Sequence, residues 1–312
     1  YLKNIHRWDF DPFELRELVP SPLCTVTTHC LQQYDLIERL EFNADKLTNF
    51  LQAIHDGYNA LPYHNALHAA DVTQSTFYLL STGKVIEAIS ANQIAVASVL
   101  IAAAIHDVGH PGLNGKFLIT TNSPIAIEYS DKSPLEMMHL ATAFRLWRED
   151  ANNFTDRIPL SHYREMRRLI VEMVLLTDND MHFTLLNRLD RSITVFSSHD
   201  AELSSSPSQH GHMPVGSPTD QNDGISGRSP STHLTTDDRQ LLLLQVTLHT
   251  ADVSNTAKPW NLYSKWLERI TEEFYLQGDM ERSLNMPISY AFDRFNPVTQ
   301  SKFQLVSFTH CA

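Results

Sequence analysis

The sequence is poor in the residues that mark several classes of protein. Its 312 residues contain three cysteines, Cys24, Cys30 and Cys311, and no pair with the C-x-x-C spacing of a cysteine zinc site. We therefore expect free thiols in a reducing, cytoplasmic compartment. The longest apolar run, residues 94–105, is too short to cross a bilayer, which argues against a transmembrane segment.

Basic residues are also scarce relative to acidic ones. The chain has 24 Lys and Arg against 36 Asp and Glu, which gives a formal net charge of −12. Proteins that bind nucleic-acid backbones or anionic membranes need clustered Lys and Arg. This balance therefore argues against both as main partners.

The first residues carry no targeting pattern. The chain starts at Tyr1, with neither an initiator Met nor the pattern of a signal peptide. We expect a domain of a longer protein, in which regulatory parts, or parts that recruit it to a membrane, lie outside this sequence.

The sequence does contain many apolar residues at helical spacing. They recur every three or four residues in several long segments, and no segment alternates as a strand would. We predict an all-α fold, a compact bundle of many helices. The predicted helices span residues 44–56, 69–81, 92–106, 134–148, 162–178, 239–253, 260–276 and 300–310.

One segment, residues 197–238, departs from this pattern. It is rich in Ser, Pro and Gly and has almost no large apolar side chains. Such a segment cannot bury enough surface to order itself, so we predict a disordered, low-complexity insertion. The helices on both sides should pack into one core, so residues 1–312 should form a single domain.

Histidine is abundant, with 16 copies, and several of them lie beside acids near predicted helix ends. His64 and His68 would share one helix face, where one could bind a metal and the other donate a proton. His106 and Asp107 end an apolar helix, and Asp252 lies near the end of another. A lone His is more often a structural residue. Several apolar helices that end in His or Asp are different, because the free-energy cost of burying these polar groups has to be offset by a partner. A divalent ion, which accepts imidazole and carboxylate together, is the simplest compensation.

Glu136 and His139 form a fourth place of this kind, but Glu136 has a simpler interpretation. The sequence Ser-Pro-Leu-Glu at 133–136 matches a capping box with proline at the first helical position. By itself, the pattern predicts that Glu136 caps the start of a helix.

The order His…His-Asp…Asp resembles the HD superfamily of metal-dependent phosphohydrolases. Fuller motifs are similar to the class I cyclic nucleotide phosphodiesterase catalytic domain, and the similarity runs from Tyr63 to the C-terminus outside the insertion. The motifs are YHNALHAADV (63–72), HDVGHPG (106–112), LEMMH (135–139), TD (177–178), ADVSN (251–255) and KP (258–259).

The resemblance implies a compact all-helical domain with two divalent metal ions. The tighter site, usually zinc, takes His68, His106, Asp107 and Asp252. The second, usually magnesium or manganese, shares Asp107 and is otherwise mostly coordinated by water, because Mg²⁺ sheds its waters reluctantly. The residues that would hold those waters or the phosphate are His110, Glu136, His139, Thr177 and Asp178.

The resemblance also implies the reaction, which is hydrolysis of a 3′,5′-cyclic nucleotide to the nucleoside 5′-monophosphate. Two cations would neutralise the phosphate oxygens and lower the pKa of a bridging water, and the resulting hydroxide would attack phosphorus. His64 would be the general acid that protonates the leaving 3′ oxygen.

For the purine base, the resemblance implies a glutamine amide and a stacking phenylalanine, for which the candidates are Gln304 and Phe308. Family members usually space them Gln-x-x-Phe, and this pair has one residue more. Ile270 would clamp the other face of the ring, and Tyr63 and Asn255 would line the pocket. Because Asn255 can hydrogen-bond the adenine edge, we favour cAMP, with cGMP or both left open.

Two alternatives share many of these residues. Another HD-type nucleotide phosphohydrolase would share the four ligands but not the motif at Tyr63. A non-catalytic cyclic-nucleotide sensor has some support from Gly109 and Met138, which replace polar residues common in the family, and from the spacing of Gln304 and Phe308. The complete ligand set together with His64 argues against a sensor.

Overall fold

The computed structural model describes residues 1–204 and 235–299. In these two ranges the chain forms fourteen α-helices and no strand, which confirms the predicted all-α fold. The helices are α1 (Pro12–Leu18), α2 (Pro22–Gln33), α3 (Leu36–Arg39), α4 (Ala44–Gly57), α5 (Ala66–Ser81), α6 (Val85–Ala88), α7 (Gln93–Ile105), α8 (Gly115–Thr120), α9 (Pro124–Glu128), α10 (Pro134–Arg148), α11 (Leu160–Val174), α12 (His182–Ser204), α13 (Thr236–Val253) and α14 (Trp260–Ser283). Short 3-10 turns lie at Leu2–Asn4, Leu175–Thr177, Asn179–Met181 and Ser254–Ala257.

Helix α7 lies at the centre of the core. Every residue from Ala95 to Ile105 is buried, as expected for a helix that is apolar on all sides. It packs against α5 and α11, with α2 and α13 also in contact. The residues that follow its end are therefore held at the edge of a rigid apolar wall.

Three N-terminal helices are absent from the sequence-based prediction. Helices α1 and α2 each begin at a capping residue followed by proline, Asp11–Pro12 and Ser21–Pro22. This pair is a start signal for a helix that does not depend on apolar spacing. Both helices pack against α5, so they support the helix that carries His68.

The start of α5 differs from the prediction in a way that matters for the site. Asn65 caps the helix, because its Oδ1 accepts hydrogen bonds from the backbone N–H groups of Leu67 (2.8 Å) and His68 (3.3 Å). His64 therefore precedes the helix, and the prediction that His64 and His68 share a helix face was wrong. Their rings nevertheless lie close, with centroids 5.9 Å apart.

The capping box predicted at the start of α10 was also wrong. Ser133 has a positive φ of 39° and makes no side-chain cap. Its Oγ donates instead to Oδ2 of Asp178, at 2.6 Å. Glu136 is therefore not used as a cap.

The segment predicted as an insertion, 197–238, overlaps helices at both ends. Helix α12 continues to Ser204, and α13 starts at Thr236 behind a capping box formed by Thr235 and Asp238. Local capping and helix propagation extend order past the point at which composition predicts a loop. Residues 205–234, and the helix predicted at 300–310, lie outside the described residues.

None of the helices in the described ranges combines the length and apolar composition needed to cross a membrane.

Candidate metal centre and active site

Four predicted ligands from three distant parts of the chain meet at one point. His68 lies in the first turn of α5, His106 and Asp107 follow the end of α7, and Asp252 lies in the last turn of α13. One ligand atom from each lies within 4.8 Å of all the others. Nε2 of His68 is 3.1 Å from Oδ1 of Asp252, and Nε2 of His106 is 3.1 Å from Oδ2 of Asp107.

The donors of this cluster fit a divalent cation. Nδ1–H of the fully buried His106 donates to the carbonyl of Ala103 at 2.9 Å, which turns Nε2 toward the two carboxylates. That Nε2 is buried and has no aligned hydrogen-bond partner, although Asp107 and Asp252 lie close to it. Imidazole nitrogens and carboxylates that converge in this way, with one buried nitrogen left without a hydrogen-bond partner, are a typical ligand set for Zn²⁺.

The charges of the cluster also favour a cation. Burial raises the pKa of Asp107 and Asp252, but the positive charge of His106 outweighs it and holds both pKa values well below the usual range. Burial lowers the pKa of His106, and the same two carboxylates raise it well above its usual value. Two carboxylates thus stay ionised and hold a proton on His106 that a metal ion could replace.

A second polar group, next to the first, is built around His64. Oε2 of Glu273 on α14 accepts hydrogen bonds from the backbone N–H groups of Tyr63 (2.9 Å) and His64 (3.0 Å). Its Oε1 accepts a short hydrogen bond from Nδ1–H of His64. The ring of His64 stacks on that of His110, with centroids 4.0 Å apart.

These contacts fix the proton positions of the pair. Burial lowers the pKa of His64, but the carboxylate of Glu273 outweighs it and raises that pKa to about 9. Burial raises the pKa of Glu273, and the charge of His64 holds it below its usual value. Burial and the charge of His64 keep the pKa of His110 well below its usual value. At neutral pH, His64 is therefore a protonated acid beside a neutral His110.

His139 lies at the edge of the metal cluster, and Glu136 lies one turn earlier on the same helix, α10. Nε2 of His139 is 3.7 Å from Oδ1 of Asp107, and its Nδ1–H donates to the carbonyl of Val108 at 2.8 Å. Burial lowers the pKa of His139 to about 4, so its ring is neutral at pH 7. Burial and the charge of Asp178 raise the pKa of Glu136 to about 8, so this carboxyl can donate a hydrogen bond at neutral pH.

Thr177 and Asp178 have local partners. The Thr177 hydroxyl donates to the carbonyl of Val174 at 2.8 Å, which leaves its lone pairs free to accept a hydrogen bond. Asp178 accepts from Ser133 and, at 2.9 Å, from the backbone N–H of Asp180. Asp178 therefore ties the start of α10 to the turn that follows α11.

Comparison with known proteins assigns this arrangement to a family. The family described as 3′5′-cyclic nucleotide phosphodiesterase matches residues 63–310. The chain belongs to this family. It contains the HD-type catalytic domain of the class I phosphodiesterases, and the cluster is consistent with the divalent metal sites of that family.

Curated relatives support the same assignment. The chain is 32% identical to the mouse "Dual specificity calcium/calmodulin-dependent 3′,5′-cyclic nucleotide phosphodiesterase 1B". This match covers 98% of the chain and 50% of the mouse protein. The chain is 34% identical to the rat "3′,5′-cyclic-AMP phosphodiesterase 4C", in a match that covers 94% of the chain and 49% of the rat protein. The chain thus spans about half the length of these relatives.

The fold agrees with solved phosphodiesterase domains. The phosphodiesterase domain of the RhoPDE fusion protein from the choanoflagellate Salpingoeca rosetta superposes with a TM-score of 0.77 and 25% identity. That match covers 98% of this chain and 84% of the solved one.

Three of the five residues predicted to line a base pocket lie in the described part of the phosphodiesterase domain. Nδ2 of Asn255 donates to the hydroxyl of Tyr63 at 2.5 Å, and Ile270 packs against Tyr63 and Trp266. The structure therefore brings Tyr63, Asn255 and Ile270 to one place. Gln304 and Phe308 lie outside the described residues.

Glu273 is a site residue that the sequence-based prediction missed. It lies seven residues after Trp266 and three after Ile270, which places an acid on the inward face of α14. An acid on a buried face needs a charged or hydrogen-bonding partner. That pattern was the available signal, although it does not say which residue is the partner.

Proposed function

We propose that this chain hydrolyses 3′,5′-cyclic nucleotides to nucleoside 5′-monophosphates. We also propose that residues 1–312 act as one catalytic domain, with residues 197–238 as an insertion in it. The observation that carries the proposal is the cluster of His68, His106, Asp107 and Asp252 beside the protonated His64. Membership of the phosphodiesterase family supports it.

We assign zinc to the site formed by His68, His106, Asp107 and Asp252, since imidazole and carboxylate suit that ion. We assign magnesium or manganese to a second site that shares Asp107 and is otherwise held mostly through water. Two such ions would supply positive charge that neutralises the phosphate oxygens and would lower the pKa of water for attack on phosphorus.

His64 supplies the proton for the leaving group. Because Nδ1–H is engaged by Glu273, the proton available to a substrate is the one on Nε2. A pKa of about 9 keeps that proton in place at neutral pH, and the alkoxide that leaves as the 3′ oxygen is basic enough to take it. We assign roles in holding waters or the phosphate to His110, Glu136, His139, Thr177 and Asp178.

Recognition of the base rests on Tyr63, Asn255 and Ile270, with Gln304 and Phe308 as sequence-based candidates. The hydrogen bond that Nδ2 of Asn255 donates to Tyr63 leaves its Oδ1 as an acceptor. An acceptor complements the amino group on adenine, which supports cAMP as the preferred substrate.

A second glutamine–phenylalanine pair precedes the first. Gln300 and Phe303 have the three-residue separation usual in the family, whereas Gln304 and Phe308 are four apart. Alanine variants at Gln300 and Gln304 would show which amide binds the base. The variant that removes the base-binding amide should raise KM for the nucleotide, and the other variant should leave KM unchanged.

The proposed function is tested by metal analysis combined with turnover of cAMP and cGMP in the presence of Mg²⁺. We expect tightly bound zinc and hydrolysis in the unmodified chain, and loss of hydrolysis in His64→Ala and Asp252→Ala. Glu268→Gln, which removes an exposed acid on α14, is the control and should keep full activity. Tight binding without turnover would favour the sensor, and full activity in Asp252→Ala would overturn the assigned metal site.

A further inference from the structure

Lys258 lies directly after the Ser254–Ala257 turn, which carries Asn255. Its side chain is wholly buried, with 0% exposed. Nζ lies 3.4 Å from Oδ1 of Asp71 and donates to Oε1 of Gln74 at 3.2 Å. Asp71 and Gln74 lie on α5, three and six residues after the metal ligand of that helix.

Gln74 extends this contact to the N-terminal segment. Its Nε2 donates to the backbone carbonyls of Ile5 (2.8 Å) and Arg7 (2.9 Å). Both amide protons are therefore used, and Oε1 is turned toward Lys258. Contacts on both sides fix the orientation of the amide. The buried side chain of Gln74 therefore joins the N-terminal segment, helix α5 and Lys258.

Trp8 packs against Lys258 on the outer side of these contacts. Its Nε1–H donates to the carbonyl of Ala257 at 3.0 Å, and its ring lies against Lys258, with Nζ 4.5 Å from the ring centroid. A cation against the face of an indole is attracted by the ring. The tryptophan thus contacts two successive residues at the end of the turn that carries Asn255.

We infer that Lys258 is a positioning residue, and that Trp8, Asp71 and Gln74 complete a brace that fixes Asn255 relative to α5. The inference rests on the proposed function, since Asn255 is taken to contact the base. The buried ammonium loses its charge partner, its amide acceptor and its indole contact together if the turn moves. Through the brace, the N-terminal segment therefore helps to hold Asn255 in the position in which it binds the nucleotide.

The position of the brace predicts which kinetic constant it controls. Asn255 is three residues from Lys258, whereas Asp252 is held separately by His68 at 3.1 Å and His106 at 3.3 Å. Loosening the turn should therefore raise KM for the nucleotide and leave kcat nearly unchanged. A merely structural role would lower the active fraction, and hence the apparent kcat, without changing KM.

Two variants test the brace, each with a matched control. Trp8→Phe removes the hydrogen bond to Ala257 and keeps an aromatic face for Lys258. Lys258→Met combined with Asp71→Asn removes both buried charges together, so neither is left unpaired. The controls are Trp260→Phe, at a tryptophan that is 64% exposed, and Lys116→Met, at an exposed lysine.

The measurements are amide hydrogen exchange and steady-state kinetics. In both brace variants we expect exchange of residues 254–258 to rise by about tenfold or more, while α7 stays as protected as in the unmodified chain. We expect KM to rise about fivefold or more with kcat within about twofold, as for loss of one or two hydrogen bonds. The controls should change neither quantity.

The two hypotheses fail in different ways. Unchanged exchange at 254–258 in both brace variants would overturn the brace, and so would unchanged KM where turnover is measured. If the unmodified chain turned over neither cAMP nor cGMP, the proposed function would fail, and the exchange comparison alone would decide on the brace.

Discussion

The charge of Glu273 decides whether His64 can act as an acid at neutral pH. Burial lowers the pKa of His64, and the Glu273 carboxylate raises it to about 9. Glu273→Gln removes that charge but keeps an oxygen that can accept from Nδ1–H. Burial then dominates, so we expect the pKa of His64 to fall to its ordinary value of 6.5 or below.

The size of the effect follows from the protonated fraction. At pH 7.5, a pKa of about 9 leaves roughly 97% of His64 protonated, whereas a pKa of 6.5 leaves about 9%. Because the protonated form is the active one, Glu273→Gln should lose at least about tenfold in kcat/KM at pH 7.5. With a pKa of 6.5, the loss shrinks to less than about twofold at pH 6.

The assay is kcat/KM for the cyclic nucleotide between pH 5.5 and 10. In the unmodified chain we expect activity to fall only as the pH rises through about 9. In Glu273→Gln we expect the same fall at a pH at least two units lower. Glu268→Gln, with an exposed acid on the same helix, should match the unmodified profile. A loss in Glu273→Gln that is equal at every pH would show that Glu273 does not set the pKa of His64, because the alkaline limb of the profile would not have moved.

Three further predictions concern the metal, the base and the packing. Because zinc would have to displace the proton of His106, zinc affinity should rise about tenfold per pH unit when measured by competition with a chelator. An affinity that does not depend on pH would contradict the displacement of that proton. Tyr63→Phe removes the acceptor that orients Asn255, so the ratio of kcat/KM values for cAMP and cGMP should move about fivefold toward unity; an unchanged ratio would count against this role of the hydroxyl. Gly278→Ala places a methyl group 1.9 Å from a backbone carbonyl oxygen and should lower the free energy of unfolding by about 3 kcal/mol in urea titrations. Gly115→Ala, with nothing within 4 Å, should not destabilise, and equal losses in both would refute the packing argument.

The four predicted metal ligands were accessible from sequence because each belongs to a short local motif. His106 and Asp107 end the most apolar helix, and the structure confirms that α7 is buried on all sides. Asp252 lies in the last turn of a helix in the same way. Local patterns identified polar helix ends that need a compensating partner, and the resemblance to the phosphodiesterase family joined them into one set of four ligands.

Other features depend on contacts that local patterns do not contain. Glu273 lies 209 residues after His64, and periodicity cannot say which inward acid meets which histidine. Ser133 looks like a helix cap, but its hydroxyl is taken by Asp178, 45 residues later. Asn65 is the opposite case, since a local cap that could have been recognised moves His64 off the helix.

Hydrolysis of cyclic nucleotides by this chain is tested most directly by the identity of the product formed from cAMP and cGMP in ¹⁸O-labelled water, read by ³¹P NMR and mass spectrometry. We expect a nucleoside 5′-monophosphate with one ¹⁸O on phosphorus, because water attacks phosphorus and the 3′ oxygen leaves. A 3′-monophosphate, or no product from either nucleotide with zinc and magnesium present, would contradict it.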